Sequence, residues 1–493
     1  MAARKKAFYI LPGAYSMIGI GTIFRRRAGS GGPLPPDYAK WVKEHMVFWY
    51  DMTKPVDVYT QNFNDWQNYN PNSVSITNNK IVVNGLIDNF RIASIGKETE
   101  SFSVFIEGLG DKNLVYRVKL DENSDQITNI KLKDGENVLP HSFATTVAFM
   151  GVSGVTDYIG LTITQLPSGQ SVPTNEILKV NPYLQDFSGN NRPLKLNNFL
   201  FAAMSGVGGY DISSTNILPD RANVTVTDNR IIHITKKLST TDSMVNIVPA
   251  NSNPTYKFKV TGLSDGRQVS LVNRNGGFYT FDNGEHEVTL TYPEGTTSLY
   301  NAIGVTGDIG DMDVTIEFLP KYPNSLVTDG ADDYGVVENF KSLQNYMMFF
   351  QCAIIRPNAV NGMFSTTPIK NDNNVRGWML LQGNYANSVR FGNSRYKNFE
   401  FTSSVKDKIS YVLSANNELM TCYVGEEKAT LAGTYRQTGA NMSLFLSEAK
   451  GKTRFGSMAF YKSILFDSVP TKETDGFTEQ DLIDYVLENI ITQ

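Results

Sequence analysis

Period-two alternation governs most of the chain. In Phe102-Ser103-Val104-Phe105-Ile106 and in Tyr256-Lys257-Phe258-Lys259-Val260, alternate residues are apolar and the positions between them hold Ser or Lys. Successive side chains of a strand point to opposite faces, so the pattern predicts short strands with one face on a core and the other in water. Turn residues punctuate these runs at Asn78-Asn79, Asp228-Asn229, Ser264-Asp265-Gly266, Asn275-Gly276-Gly277 and Asn283-Gly284, each a combination that bends the backbone at low cost. Helical spacing appears at the two ends. After Pro35-Pro36, Asp37 can cap a segment in which Tyr38, Trp41, Val42 and His45 recur at intervals of three and four; this predicts a helical connector over 37–57, with about three turns of helix. Near the C-terminus Thr478 and Asp481 form a capping-box-like start, and Leu482, Ile483, Val486, Leu487 and Ile490 make one apolar stripe. That predicts a helix over 476–493 covering its own sandwich.

The β pattern is written twice. Ser73-Val74-Ser75-Ile76-Thr77-Asn78-Asn79-Lys80-Ile81-Val82-Val83 answers to Asn223-Val224-Thr225-Val226-Thr227-Asp228-Asn229-Arg230-Ile231-Ile232-His233, an offset of 150. Ser101–Leu109 answers to Thr255–Leu263, Asp134-Gly135-Glu136 to Asn283-Gly284-Glu285, and Leu161–Pro167 to Val314–Pro320. A duplicated β module results, over 58–168 and 216–321. Strands of about five residues with frequent turns mean antiparallel sandwiches, and immunoglobulin and jelly-roll topologies are both open. Repeated β modules display, bind or assemble, which moves the search for function from pockets to surfaces.

Composition narrows the function classes. With 493 residues the chain holds about three or four domains at roughly 150 residues each. A net charge of -4 supplies no basic field, which argues against nucleic acid as a partner. Cys352 and Cys422 are in no CxxC or metal-type spacing and read as buried thiols. His45, His141, His233 and His286 are widely spaced, and no triad, Walker loop, dinucleotide fingerprint or GxSxG elbow accompanies them. No enzyme activity is expected.

The first 36 residues read as a docking arm. Arg4, Lys5 and Lys6 precede an uncharged stretch from Ala7 to Phe24, and Arg25, Arg26 and Arg27 follow it. Pro12, Gly13, Gly19 and Gly21 interrupt the apolar run, so neither a signal peptide nor a membrane span fits well. Phe8, Tyr9, Ile10, Leu11, Ile18, Ile23 and Phe24 offset the entropy of ordering the segment only if a partner covers them. Arg25 to Arg27 then meet acidic groups on that partner.

Two phrases flank the second repeat: Asp186-Phe187-Ser188-Gly189-Asn190-Asn191 followed by Leu194–Phe199, and Leu326-Val327-Thr328-Asp329-Gly330-Ala331-Asp332-Asp333-Tyr334. They resemble the opening strands of concanavalin A-like, laminin G-like sandwiches. Lys408–Leu413 with Glu418–Gly425 resembles the hairpin of that family, and Phe455–Phe466 its closing strand. The resemblance implies a lectin-like domain in two pieces, 178–215 and 322–470, with the second repeat inserted. The whole is then mainly β: two repeated antiparallel β-sandwich modules plus a concanavalin A-like jelly roll, with short N-terminal and C-terminal helices. The same phrases, with Gly206-Val207-Gly208-Gly209-Tyr210-Asp211, resemble structural proteins of crAss-like Bacteroides phages, of head-fibre or tail-fibre type. This implies a virion protein assembled in the host cytoplasm, a homo-oligomer, foremost a trimer, partnered by capsid or tail proteins and by host surface polysaccharide. A bacterial cell-surface glycan-binding protein and a tailspike-type depolymerase are the alternatives. The family's calcium sites suggest Asp186, Asn190, Asp329 and Asp332 as oxygen ligands. Its sugar sites recruit exposed aromatics, which points to Trp378, Tyr385 and Tyr396.

Overall fold

The computed structural model describes residues 37–492, apart from 78, 145, 218–222, 228–229, 238–244, 250–253, 265, 274–276, 293–300, 339, 358, 367–378, 384–386, 393–395, 417, 433–441 and 449–452. The arm therefore lies outside the described residues. Among the described residues, no helix is long and apolar enough to cross a membrane.

The protein is mainly β. Among the described residues, ten strands form the first repeat: Gln67–Asn68, Val74–Ile76, Lys80–Val83, Arg91–Ile95, Phe102–Glu107, Leu114–Val118, Thr128–Leu132, Gly135–Leu139, Val147–Met150 and Thr162–Gln165. Ten form the second: Ile212–Ile217, Val224–Thr227, Ile231–Lys237, Val245–Pro249, Thr255–Thr261, Gln268–Asn273, Phe278–Phe281, Gly284–Thr289, Asn301–Thr306 and Gly310–Phe318. In both, one sheet runs eighth, fifth, tenth, third, second, and the other runs first, fourth, ninth, sixth, seventh. From the third strand to the tenth the chain changes sheet at every connection except the sixth-to-seventh hairpin, the order of a jelly roll of two Greek keys, which excludes the immunoglobulin topology. The alternation seen in the sequence sets the cores: Phe102, Val104 and Ile106 are buried in one, Tyr256, Phe258 and Val260 in the other.

Matched phrases mark matched turns. Asp134 accepts hydrogen bonds from the backbone of Leu109 at 2.9 Å and Gly110 at 2.8 Å. Asn283 does the same work with two bonds, its Oδ1 accepting from the Leu263 amide and its Nδ2 donating to the Leu263 carbonyl, both at 2.9 Å. The residues just before these leucines, Gly108 and Gly262, have φ of 76° and 86°. A Cβ would lie 2.4 Å from the Gly160 carbonyl oxygen in the first and 1.8 Å from that of Asp313 in the second, so only glycine fits.

Most of the remaining strands build one large sandwich. Its first sheet orders Gly206–Val207, Leu326–Val327, Met458–Phe466, Tyr346–Ile354, Ile409–Ala415, Leu419–Val424 and Glu427–Ala432. The second orders Tyr183–Leu184, Leu194–Asn197, Tyr334–Val337, Met442–Leu444, Asn361–Ser365, Met379–Gln382, Ser388–Gly392 and Tyr396–Glu400. This is the two-sheet antiparallel architecture that the concanavalin A-like resemblance implies. Tyr346–Ile354 and Met458–Phe466 are buried at all nine positions, because both faces are covered. One face looks into the sandwich. Much of the other lies under the helices Tyr38–His45 and Glu479–Val486, where Trp41, Val42, Leu482, Ile483, Val486 and Ile490 pack on Met347, Phe349, Ile464 and Phe466. Thr478 and Asp481 form a true capping box at the start of the second helix.

The connector over 37–57 needs correction. Only Tyr38–His45 is helical, and Met46–Asp51 is a strand of the sandwich, paired with the closing strand from Met46↔Phe466 to Asp51↔Lys462. Val47, Phe48 and Tyr50 are buried there, and this apolar run is satisfied by a sheet edge that no local helix would supply. Asp51 carries a buried partner, Lys462 Nζ at 3.2 Å, which also donates to the Ile490 carbonyl at 3.2 Å.

It follows that the sandwich is drawn from three stretches, 46–51, 183–207 and 326–466, and that both repeats leave it and return. The first hangs on the strand pair Val56–Val58 and Gly169–Ser171. The second hangs on Gly208, whose amide donates to the Ser325 carbonyl at 2.9 Å and whose carbonyl accepts from the Tyr322 amide at 2.8 Å. Gly208 and Gly209 have φ of 80° and 58°, and a Cβ on the first would meet Pro320 at 2.6 Å. The Gly-Gly of the quoted phrase is the neck of the second repeat.

Candidate functional site

Three places bear on function, and the first is the outer edge of the sandwich. Tyr396–Glu400 is the last strand of its sheet, paired with Ser388–Gly392 so that Arg390 faces Asn398 and Gly392 faces Tyr396. Phe399 packs against the core, which places Tyr396, Asn398 and Glu400 on the opposite face. Tyr396 is 59% exposed. The Arg390 guanidinium lies 4.4 Å from its ring centroid and donates through Nε to Asn398 Oδ1 at 2.9 Å. A phenol, a guanidinium, an amide and a carboxylate thus share one solvent-facing row. Such a row offers an apolar platform with fixed donors and acceptors beside it. Trp378 and Tyr385 lie outside the described residues.

The second place is the group of acidic residues. Asp186 and the Asn190 amide nitrogen hold their turn against the strand Met46–Asp51. Asp186 accepts from the amides of Trp49, Ser188 and Arg192 and from the Ser188 hydroxyl, at 2.8 to 3.0 Å. Asn190 Nδ2 donates to the Met46 carbonyl at 2.6 Å. Four donors occupy the lone pairs that a calcium ion would need on Asp186. The structure gathers Asp329 and Asp332 with Asp333 instead, their oxygens within 4.8 Å of one another. Asp333 is completely buried and accepts from Ser205 Oγ and from the Asp329 amide, each at 3.0 Å. Burial pushes its carboxyl up to about 7. Asp329 Oδ1 accepts from the Ala331 amide at 2.7 Å. Both oxygens of Asp333 are spent on the protein, and it clamps the loop carrying Ser205 to the 329–333 turn. Phe201 and Ala203 in that loop have φ of 50° and 49°, left-handed values that side chains adopt only under constraint.

The third place is a cleft of about 330 Å³ where the first repeat meets the sandwich. Asp57, Tyr59 and Asn79 line it from one side, and Ile177, Tyr183 and Gln185 from the other. Asn79 Nδ2 donates to Tyr59 Oη at 3.3 Å, the Asp57 amide donates to Gln185 Oε1 at 3.2 Å, and Gln170 Nε2 donates to Asp57 Oδ1 at 3.0 Å. Burial raises the pKa of both phenols; Asp57 raises Tyr59 further, and Glu338 raises Tyr183 further. Sequence reading missed this cleft. Its walls lie more than a hundred positions apart in the chain, and the only local sign is a cluster of Tyr, Asn and Gln around 177–185.

The remaining candidates for chemistry stay apart. His45, His141 and His233 each face one carboxylate, at 3.0, 3.6 and 2.7 Å respectively, and His286 contacts the Asp282 carbonyl. Cys352 and Cys422 are free and buried, and desolvation raises both thiols far above their usual value. Such thiols are inert.

No family model matches the chain, and no curated protein matches it. Among solved structures, the Ruminococcus gnavus IT-sialidase CBM40 bound to alpha2,3 sialyllactose is similar at 14% identity, covering 27% of this chain and 80% of that one with a TM-score of 0.24. Domains LG4-5 of the mouse laminin alpha1 chain are similar at 9% identity, covering 55% and 97% with a TM-score of 0.23. A prokaryotic beta-1,3-1,4-glucanase derived from a mouse hindgut metagenome is similar at 9% identity, covering 49% and 100% with a TM-score of 0.21.

Proposed function

We propose that this chain is a structural protein of a phage particle, of head-fibre or tail-fibre type, whose sandwich holds glycan on the host surface. The observation that carries the glycan reading is the edge strand Tyr396–Glu400, where an exposed ring stands in one row with Arg390, Asn398 and Glu400. In this reading residues 1–36 anchor the chain on capsid or tail proteins, copies associate as a trimer, and assembly takes place in the host cytoplasm. The resemblance of the quoted sequence phrases to phage structural proteins supports that part. In this reading the chain binds without turnover; of the adjacent pair Asp332-Asp333, the second is sealed with both oxygens accepting hydrogen bonds, so it does not supply one of the two open carboxyl groups that glycoside hydrolysis needs.

The test uses purified protein and polysaccharide extracted from the host surface. Binding without release of reducing ends, weakened about tenfold by Tyr396→Ala, is the expected result, a loss of about 1.4 kcal/mol. Release of reducing ends, or binding untouched by the substitution, rejects the reading. The anchor is tested separately by imaging particles whose copy of the protein lacks residues 1–36. Retention on those particles overturns it.

A further inference from the structure

The cleft between the first repeat and the sandwich has walls from two bodies and a lining unlike the edge strand. Its volume of about 330 Å³ falls within the roughly 300–1,000 Å³ of small-molecule sites, which favour such junctions. We propose that it binds a neutral saccharide. This deepens the glycan-binding reading and rests on it, but at a separate place and with a stated ligand class.

Hydroxyl-rich chemistry is indicated by the free valences. Tyr59 Oη accepts from Asn79, which leaves its own proton to donate. Gln185 Oε1 accepts from the Asp57 amide, and among the described residues Gln185 Nε2 has no acceptor. Asp57 Oδ1 accepts from Gln170, while Oδ2 remains open to a hydroxyl. Each free sugar hydroxyl both donates and accepts, so a sugar satisfies a phenol, an amide and a carboxylate together. The sense of charge selects among sugars. Each phenol has a carboxylate for its electrostatic neighbour, Asp57 beside Tyr59 and Glu338 beside Tyr183. An anionic uronate or sialate would meet repulsion there, and a neutral hexose or pentose would not. Tyr59 and Tyr183 add ring surface for the C–H faces of such a sugar.

The geometry also ties the site to the architecture. Asp57 and Tyr59 belong to the neck of the first repeat, Tyr183 to the strand on which the chain re-enters the sandwich, and Gln185 follows that strand directly. The second repeat has a neck of different construction, closed by Gly208 and Gly209 against Pro320 and Val327. The two copies are therefore unequal at their roots.

The experiment titrates the full chain calorimetrically with cellohexaose, maltohexaose, mannohexaose and arabinohexaose, and with hexagalacturonate as the acidic probe. At least one neutral oligomer is expected to bind and hexagalacturonate is not. Gln185→Ala and Tyr59→Phe should each weaken the neutral oligomer about tenfold at unchanged melting temperature, and Tyr396→Ala should leave it alone. Ligand should protect amides of 57–59 and 183–185 from hydrogen exchange. Failure of every neutral oligomer to bind overturns the proposal, as does equal binding of hexagalacturonate with the same dependence on Gln185. If neutral binding is lost in Tyr396→Ala and kept in both cleft variants, the cleft falls and the edge-strand reading stands. If host polysaccharide and all oligomers fail alike, both fall.

Discussion

Asp333 is the residue whose protonation reports on the fold. Burial holds its carboxyl at about 7 in the folded protein, while an unfolded aspartate titrates near 4. The folded state therefore binds the proton more tightly. The contribution of this group to stability is whole below about pH 4 and is lost as pH rises through about 7. Replacing it by asparagine removes the titration, although the amide donates where the carboxyl accepted from the Asp329 backbone. Melting curves of wild type and Asp333→Asn, taken at about pH 4.5, 6 and 7.5, should show the wild type losing ground to the variant as pH rises. Parallel profiles would mean that the carboxyl is ionised throughout. The phrase Asp332-Asp333 was visible in the sequence as an adjacent pair. Its inequality was not, because Ser205, which seals one member, is 128 positions away.

Elements were legible where the pattern was local. Alternation found the fifth strand of each repeat, and a capping box with one apolar stripe found the C-terminal helix. Phrase matching was less reliable across turns. Val74 pairs with Val83, nine positions on, whereas Val224 pairs with Ile234, ten positions on. The second turn is thus one residue longer, and in the structure buried Ile81 corresponds to buried Ile232 instead of Ile231. Met46–Asp51 was misread because its hydrogen-bonding partner is the closing strand, and nothing nearby in sequence announces that. A substitution tests the equivalence of the repeats at this scale. Gly262→Ala forces a Cβ onto the Asp313 carbonyl and should destabilise the second repeat by about 1–3 kcal/mol. Hydrogen exchange should quicken across 212–318 while the strands of 67–165 keep their protection. Loss of protection in both repeats would show that they unfold as one unit.

At the scale of the molecule, the resemblance identified a sandwich interrupted by the second repeat, and the structure shows it interrupted by both. Duplication was plain in the sequence, since each copy repeats its own phrases. Insertion of the first copy was hidden, because only a six-residue strand precedes it. The same insertion makes the junction cleft, whose walls are the neck of the first repeat and the stretch on which the chain returns. Tyr396 was named in the sequence only as an aromatic in a turn-rich stretch; the edge strand that carries it and its exposure emerge from the fold.

The pairing of Met46–Asp51 with Met458–Phe466 sets an order of events during synthesis. Each repeat holds its ten strands within one continuous stretch and can close soon after that stretch leaves the ribosome. The sandwich cannot. At roughly 5–20 residues per second, its first strand waits on the order of tens of seconds for its partner, with Val47, Phe48 and Tyr50 uncovered. Nascent chains should therefore carry two finished repeats on an open frame, and the final strands act as the clasp that shuts it.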